Sequence, residues 1–180
     1  VKYSKDWKRL LRAPKDLDGM YSIRKGVKVI ANDAFTGCHS LTSISIPDGV
    51  TSIGVRAFLW CRSLRNINIP DSVTRIGYSA FEVCNSLTSI NIPDGLTSIE
   101  DFAFSACESL TSINIPDSVT SIEEYAFSGC NSLTSINIPD SVTSIGDCAF
   151  SGCDSLSPQV KSDIIQRFGG EVFYGAYYDW

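Results

Sequence analysis

The chain has a single histidine, His39, among 180 residues. That scarcity removes the commonest general base and metal ligand from most catalytic schemes. No Gly-x-Ser-x-Gly elbow, phosphate-cradling glycine loop or His-x-x-x-His pair occurs. Acid pairs such as Glu123 and Glu124 are adjacent in sequence and fall on a surface turn, so they read as solvated. An enzyme is therefore not expected, and no cofactor is called for. Cys-x₂-Cys spacing is also missing, which excludes the common structural zinc sites. No stretch approaches the ~20 apolar residues that a membrane-spanning helix needs, and Val1 opens no charged-then-apolar leader. The expectation is that any export signal has been removed or was never there.

Positive charge is nearly missing from the second part of the chain. After residue 75 there are 2 Lys and Arg against 14 acids, a net of −12; residues 1–75 hold 13 against 6, a net of +7, and the two sum to −5. Such polarity favours electrostatic steering or weak head-to-tail self-association. The basic part lacks dense clusters interleaved with aromatics, so nucleic acid is not an expected partner.

What the chain has in abundance is repetition. Proline stands at 47, 70, 93, 116 and 139, always 23 residues apart, and Ala-Phe pairs recur from Ala34-Phe35 to Ala149-Phe150 at the same step. Cysteines 38, 61, 84, 107, 130 and 153 keep that period, as do leucines 41, 64, 87, 110, 133 and 156. One 23-residue unit thus recurs about five and a half times, the mark of a stacked array.

Within one unit, Ser135 to Ile138 alternates polar and apolar as a half-buried strand does. Pro139 ends that strand, and Asp140-Ser141 supplies turn chemistry. Val142 and Ile145 mark a second extended piece, and Ala149-Phe150 a tight corner. A single coil has one apolar side and is stable only when neighbours cover it. Stacked at ~4.8 Å per coil, the array would be roughly 30 Å long.

These columns resemble the BspA-like bacterial leucine-rich-repeat family, whose unit is Leu-x-x-Ile-x-Ile-Pro-x-x-Val-x-x-Ile-Gly-x-x-Ala-Phe-x-x-Cys. Residues 21–156 follow it, with Arg24 in place of the first proline, Tyr21 in place of a strand isoleucine, and Glu100 and Glu123 in place of glycine. The resemblance implies a right-handed leucine-rich-repeat solenoid of parallel strands. It also implies a secreted or cell-surface module, attached to host or microbial proteins.

Both ends carry caps in this reading. Residues 1–20 read as a charged hairpin, with Val1 to Ser4 and Lys8 to Arg12 joined by a turn at Lys5-Asp6. Residues 157–180 read as a short helix capped by Ser157-Pro158, carrying Val160, Ile164 and Phe168 on one face and stopped by Gly169-Gly170. Glu171 to Tyr174 then resumes an extended pattern before the aromatic tail Tyr177-Tyr178-Asp179-Trp180.

In-register cysteines on neighbouring coils stand ~4.8 Å apart with parallel side chains. A disulfide wants converging Cβ atoms nearer ~3.8 Å, so a buried thiol ladder is expected, with Cys148 outside it as a surface thiol. The column Asp48, Asp71, Asp94, Asp117 and Asp140 supplies one acid per coil, too few for calcium; each is expected to hydrogen-bond its own turn. Partner recognition then falls to the remaining surface. Asn68, Asn91 and Asn114 lie on a flat Ser/Asn face that reads equally as a solubilising lattice. Trp60 and Val83 stand where other coils have glycine, with Ala106 beside them. Tyr78, Phe102 and Tyr125 form a second aromatic group, and two readings of it stand: interface anchors, or side chains tucked against the next coil. A protein partner is expected first. A carbohydrate-binding solenoid and a self-associating surface protein are the alternatives.

Overall fold

The structure, a computed structural model, describes residues 1–174; the aromatic tail at 177–180 lies outside the described residues. The chain opens with the expected hairpin, β1 (Lys2–Tyr3) antiparallel to β2 (Arg9–Arg12). Its turn is closed by Trp7 N donating to Ser4 O at 3.0 Å, and Asp6 accepts from the Ser4 hydroxyl at 2.6 Å. The coils follow, each with one strand on a main face and a shorter strand on a second face. In chain order these are β3 (Gly19–Ser22), β4 (Val29–Ile30), β5 (Leu41–Ser45), β6 (Ser52–Ile53), β7 (Asn66–Asn68), β8 (Arg75–Ile76), β9 (Ser89–Ile90), β10 (Ser98–Ile99), β11 (Ser112–Asn114), β12 (Ser121–Ile122), β13 (Ser135–Asn137) and β14 (Ser144–Ile145). The odd-numbered coil strands form the main face and the even-numbered ones the second face, all in parallel pairs. Register follows the period: Ile44 pairs with Ile67, and Ile67 with Ile90. The protein is thus a parallel β-solenoid of about 6 turns.

The Ala-Phe corner holds coil to coil. Phe58 N donates to Ala80 O at 2.8 Å, and Phe81 N to Ala103 O at 2.9 Å. Alanine leaves room for that backbone approach, while the phenylalanines turn inward and pile up. Phe35, Phe58, Phe81, Phe104, Phe127 and Phe150 form a continuous stack with centroids 5.0–5.5 Å apart and planes within 10° of parallel. The cysteines form the expected buried ladder of free thiols. Each thiol from Cys61 to Cys153 donates to a phenylalanine carbonyl 26 residues earlier, at 3.2–3.3 Å. Burial disfavours the thiolate. It pushes the Cys61 and Cys84 thiols well up and Cys107 up to about 12; Cys130 is raised first by its hydrogen bond with Cys153 and then by burial.

Two expectations need correction. The aspartates after proline do not bond their own turns. Backbone closes those turns, with Val73 N donating to Pro70 O at 2.9 Å and Val119 N to Pro116 O at 3.0 Å. With the backbone pair made, the carboxylates of Asp48, Asp71, Asp94, Asp117 and Asp140 project into solvent. Secondly, Glu171 to Tyr174 is not extended but forms a helical turn, α2 (Glu171–Tyr174), after the expected helix α1 (Pro158–Phe168). Val172 and Phe173 lie 23 residues past Ala149 and Phe150. Phe150 N donates to Val172 O at 2.8 Å, and Phe173 packs on Phe150 at 6.1 Å. The corner of one more coil is therefore present, with α1 standing where strand would be. Ser157 caps α1 by accepting from Val160 N, and Ile164 is buried beneath it.

Neither sheet runs the full length. On the second face the break falls between β8 and β10, and on the main face one coil later, between β9 and β11, so that the coil carrying β9 and β10 forms the seam. At the glycine column, an added Cβ would meet the preceding coil's backbone: Asn32 N at 2.5 Å from Gly54, and Val55 N at 2.7 Å from Gly77. Glu100 occupies that column at the seam. Gly77 N reaches Ile53 O at 3.0 Å and Gly146 N reaches Ile122 O at 2.8 Å, but Glu100 forms no such bond to Ile76. Glu123 also replaces glycine yet reaches Ile99 O at 2.8 Å, so the side chain alone does not open the joint. Gly95 stands in the same coil; Ser72, one coil earlier, accepts from Gly49 N at 2.9 Å and donates to Val50 O at 2.8 Å, whereas Ser118 and Ser141 further along that column make no such bridge although β10, β12 and β14 pair. An apolar gap too tight for water, lined by Ile76, Leu96 and Phe104, marks the place.

Candidate interaction surface

Each Ala-Phe corner contains two residues in left-handed backbone, four positions apart. One column is Asp33, Arg56, Ser79, Phe102, Tyr125 and Cys148, with φ between 53° and 57°; the other is Gly37, Trp60, Val83, Ala106, Gly129 and Gly152, with φ between 54° and 76°. The first of these columns holds a different residue type in every coil, and the second four types in six coils. L-residues there cost roughly 1–2 kcal/mol each, and β-branched Val83 is the most strained of them. The corner bonds hold the shape: Arg56 N donates to Tyr78 O at 2.9 Å and Trp60 N to Glu82 O at 2.9 Å.

The first column brings three of the expected residues together. Phe102 and Tyr125 stack with centroids 4.8 Å apart and planes 10° from parallel, and Tyr78 meets Phe102 edge-on at 5.6 Å. Tyr78 is 42% exposed, while Phe102 and Tyr125 are half-buried. The aromatics are thus tucked against one another, making a short ridge on rigid corners. Cys148, half-buried, continues the column. The Cys148 thiol, then the Glu124 and Asp147 carboxylates, hold the Tyr125 hydroxyl above the ordinary tyrosine range. Acids crowd this part of the second face. Glu100 accepts from the Ser98 hydroxyl at 2.6 Å and Glu123 from the Ser121 hydroxyl at 2.7 Å, while Asp101 caps Glu124 N at 3.0 Å.

The second column does not join that ridge. Trp60 is 46% exposed, with Val83 and Ala106 half-buried. Among the described residues no aromatic ring packs on Trp60. His39 Nδ1 donates to the Trp60 carbonyl at 2.9 Å, which engages the chain's one histidine in holding a corner. On the main face, Asn68 and Asn114 are exposed as expected. Asn91 is committed elsewhere: its Oδ1 accepts from Ile69 N at 2.9 Å and its Nδ2 donates to Ile69 O at 2.7 Å. That amide pairs the backbone just before the seam, and the side chain is exposed like those of Asn68 and Asn114.

Sequence reasoning passed over two arginines, Arg9 and Arg75, which flank a groove over Gly54 and Gly77 on the second face. The available signal was the glycine column itself, since its empty side-chain positions leave an open floor. Also unforeseen were the Tyr3–Tyr21 hydroxyl pair at 2.7 Å and Arg24 resting 4.3 Å over the Trp7 ring, which fasten the hairpin to the first coil.

Among solved structures, a leucine-rich repeat protein from Bacteroides ovatus ATCC 8483 is 38% identical over 73% of this chain and 34% of its own, with a TM-score of 0.71. The T. pallidum leucine rich repeat protein is 28% identical over 97% of this chain and 94% of its own, with a TM-score of 0.72. A leucine-rich repeat protein from Eubacterium ventriosum ATCC 27560 is 25% identical over 86% of this chain, with a TM-score of 0.75. The chain spans about a third of the B. ovatus protein and about half of the E. ventriosum one. No curated protein matches it. The BspA type leucine rich repeat region matches in six copies, over residues 20–109 and 97–178. The chain belongs to the BspA-type leucine-rich-repeat family.

Proposed function

We propose that the chain is a non-enzymatic binding module of a secreted or cell-surface bacterial protein, and that it engages a protein partner through its corner columns. The observation that carries this reading is the ridge of Tyr78, Phe102 and Tyr125. Aromatic side chains held on a scaffold this rigid lose little conformational entropy on binding, which suits them as anchors. Trp60, 46% exposed on the neighbouring column, is a second, separate anchor. The cell-surface assignment rests on family membership.

The test is capture of proteins from intact bacterial and host-cell surfaces, comparing the wild-type chain with Phe102→Ala/Tyr125→Ala and with Trp60→Ala. A partner retained by the wild type and lost by the ridge variant supports the assignment. Equal retention by all three proteins overturns the choice of surface. A glycan array with the same proteins separates the carbohydrate reading. Sugar hits that vanish with Phe102→Ala/Tyr125→Ala would replace the protein partner.

A further inference from the structure

The basic part of the second face holds a groove of about 270 Å³ that is separate from the aromatic ridge. Its floor is formed by Gly54 and Gly77, where an added Cβ would meet the preceding coil's backbone at 2.5 Å and 2.7 Å. Val29 and Val55 line it, and Arg9 and Arg75 stand at its margins. Both arginines are exposed, and the ion pairs found among the described residues, Arg56–Asp33 and Arg167–Asp140, take neither. Beyond the seam the same column is filled by Glu100 and Glu123, each held by a serine hydroxyl. One continuous feature is therefore open and cationic before the seam, and plugged and anionic after it. An anionic ligand is drawn to the first stretch and repelled by the second.

The spacing selects the shape of that ligand. Arg9, Val29, Ser52 and Arg75 are successive register partners. The two arginines are thus three strand spacings apart, roughly 14 Å. An extended peptide advances ~3.4 Å per residue, so side chains four residues apart are also about 14 Å apart and lie on one face. Val29 and Ser52, the register partners between the arginines, suit a small side chain midway. We propose that this groove binds an extended acidic segment of a protein partner, seating two carboxylates four residues apart on Arg9 and Arg75.

A fluorescently labelled, end-capped peptide containing Glu-Ser-Val-Ser-Glu, followed by anisotropy at low salt, tests this. The same composition with its two glutamates adjacent serves as the spacing control. Wild-type protein should bind the first peptide several-fold more tightly than the second, and Arg9→Gln/Arg75→Gln should weaken it by about tenfold or more. Arg9→Glu/Arg75→Glu should instead take up the matching Lys-Ser-Val-Ser-Lys peptide, a gain that a misfolded variant would not show. Absence of saturable binding, or equal binding by the Arg9→Gln/Arg75→Gln variant, overturns the proposal. Arginine-dependent binding of polygalacturonate with none of the peptide overturns it in favour of an acidic polysaccharide. Phe102→Ala/Tyr125→Ala should leave peptide binding unchanged, so failure of the ridge and failure of the groove are read separately.

Discussion

The stretch of solenoid before Ile90 and the stretch after Ser98 are written in the same repeat, yet they are joined differently. Before the seam, sheets of five and four strands run without interruption; after it, sheets of three and two take over. The first stretch is rich in cations and the second in acids. In a solenoid each coil touches only its neighbours, so stability is a sum of unit terms and interface terms. Both interruptions flank the single coil that carries β9, β10, Gly95 and Glu100. Corner bonds still cross, such as Val83 N to Ser105 O at 2.8 Å, and so do Ser109 N to Asn85 O at 3.1 Å and Thr111 N to Thr88 O at 3.3 Å.

The largest expected effect comes from alkali, which acts on both stretches alike. Free thiols ionise near pH 9 in the unfolded chain, while Cys61, Cys84, Cys107 and Cys130 stay protonated to higher pH when folded. Above pH 9 the folded state therefore binds more protons. Stability should be unaffected by these groups below pH 9 and fall as pH rises towards the folded-state values, by about 1.4 kcal/mol per thiol per pH unit. Circular dichroism should show unfolding complete near pH ~11. A helix and strand signal that stays flat through that range would refute the thiol ladder as the cause.

Next in size are Phe58→Ala and Phe127→Ala, one in each stretch. Each removes a ring from the stack and should cost about 3–5 kcal/mol in urea unfolding. Hydrogen exchange should rise first in the stretch that carries the substitution and stop at the seam; a uniform rise along the chain would show that the seam transmits cooperativity. Smaller still is Gly77→Ala, which places a Cβ 2.7 Å from Val55 N. It should cost about 1–3 kcal/mol in urea unfolding without opening the joint, since Glu123 in the same column keeps its bond to Ile99 O. Smallest is Val83→Gly, which relieves a left-handed β-branched residue but surrenders some packing, for a net gain of about 0.5 kcal/mol. Thermal melts of this variant against wild type would settle its sign.

The period, the strand positions, the buried thiols and both caps were legible because each is set by which residue types recur. Val172-Phe173 kept the register too, but α1 interposed a helical pattern and hid the count. The aspartates misled because a residue favoured in turns need not be the one that closes them. The seam was illegible for a geometric reason: nothing in the string tells which way a Cβ at Gly77 would point. The ridge was only partly readable. Phe102 and Tyr125 were marked by breaking the repeat, whereas their stacking required the left-handed corner, whose one clue was glycine at 37, 129 and 152. Asn91 looked free because its neighbour's unpaired backbone could not be seen.

The contact between Phe150 and Val172 at 2.8 Å has the same form as that between Phe127 and Ala149, also 2.8 Å. The terminal helix thus plugs into an ordinary coupling rather than a bespoke one. A duplicated 23-residue segment spliced in ahead of Ser157 would meet the last coil on one side and offer the helix an identical socket on the other. The molecule is in this sense a ruler with graduations of ~4.8 Å, whose reach can be lengthened without redesigning either end.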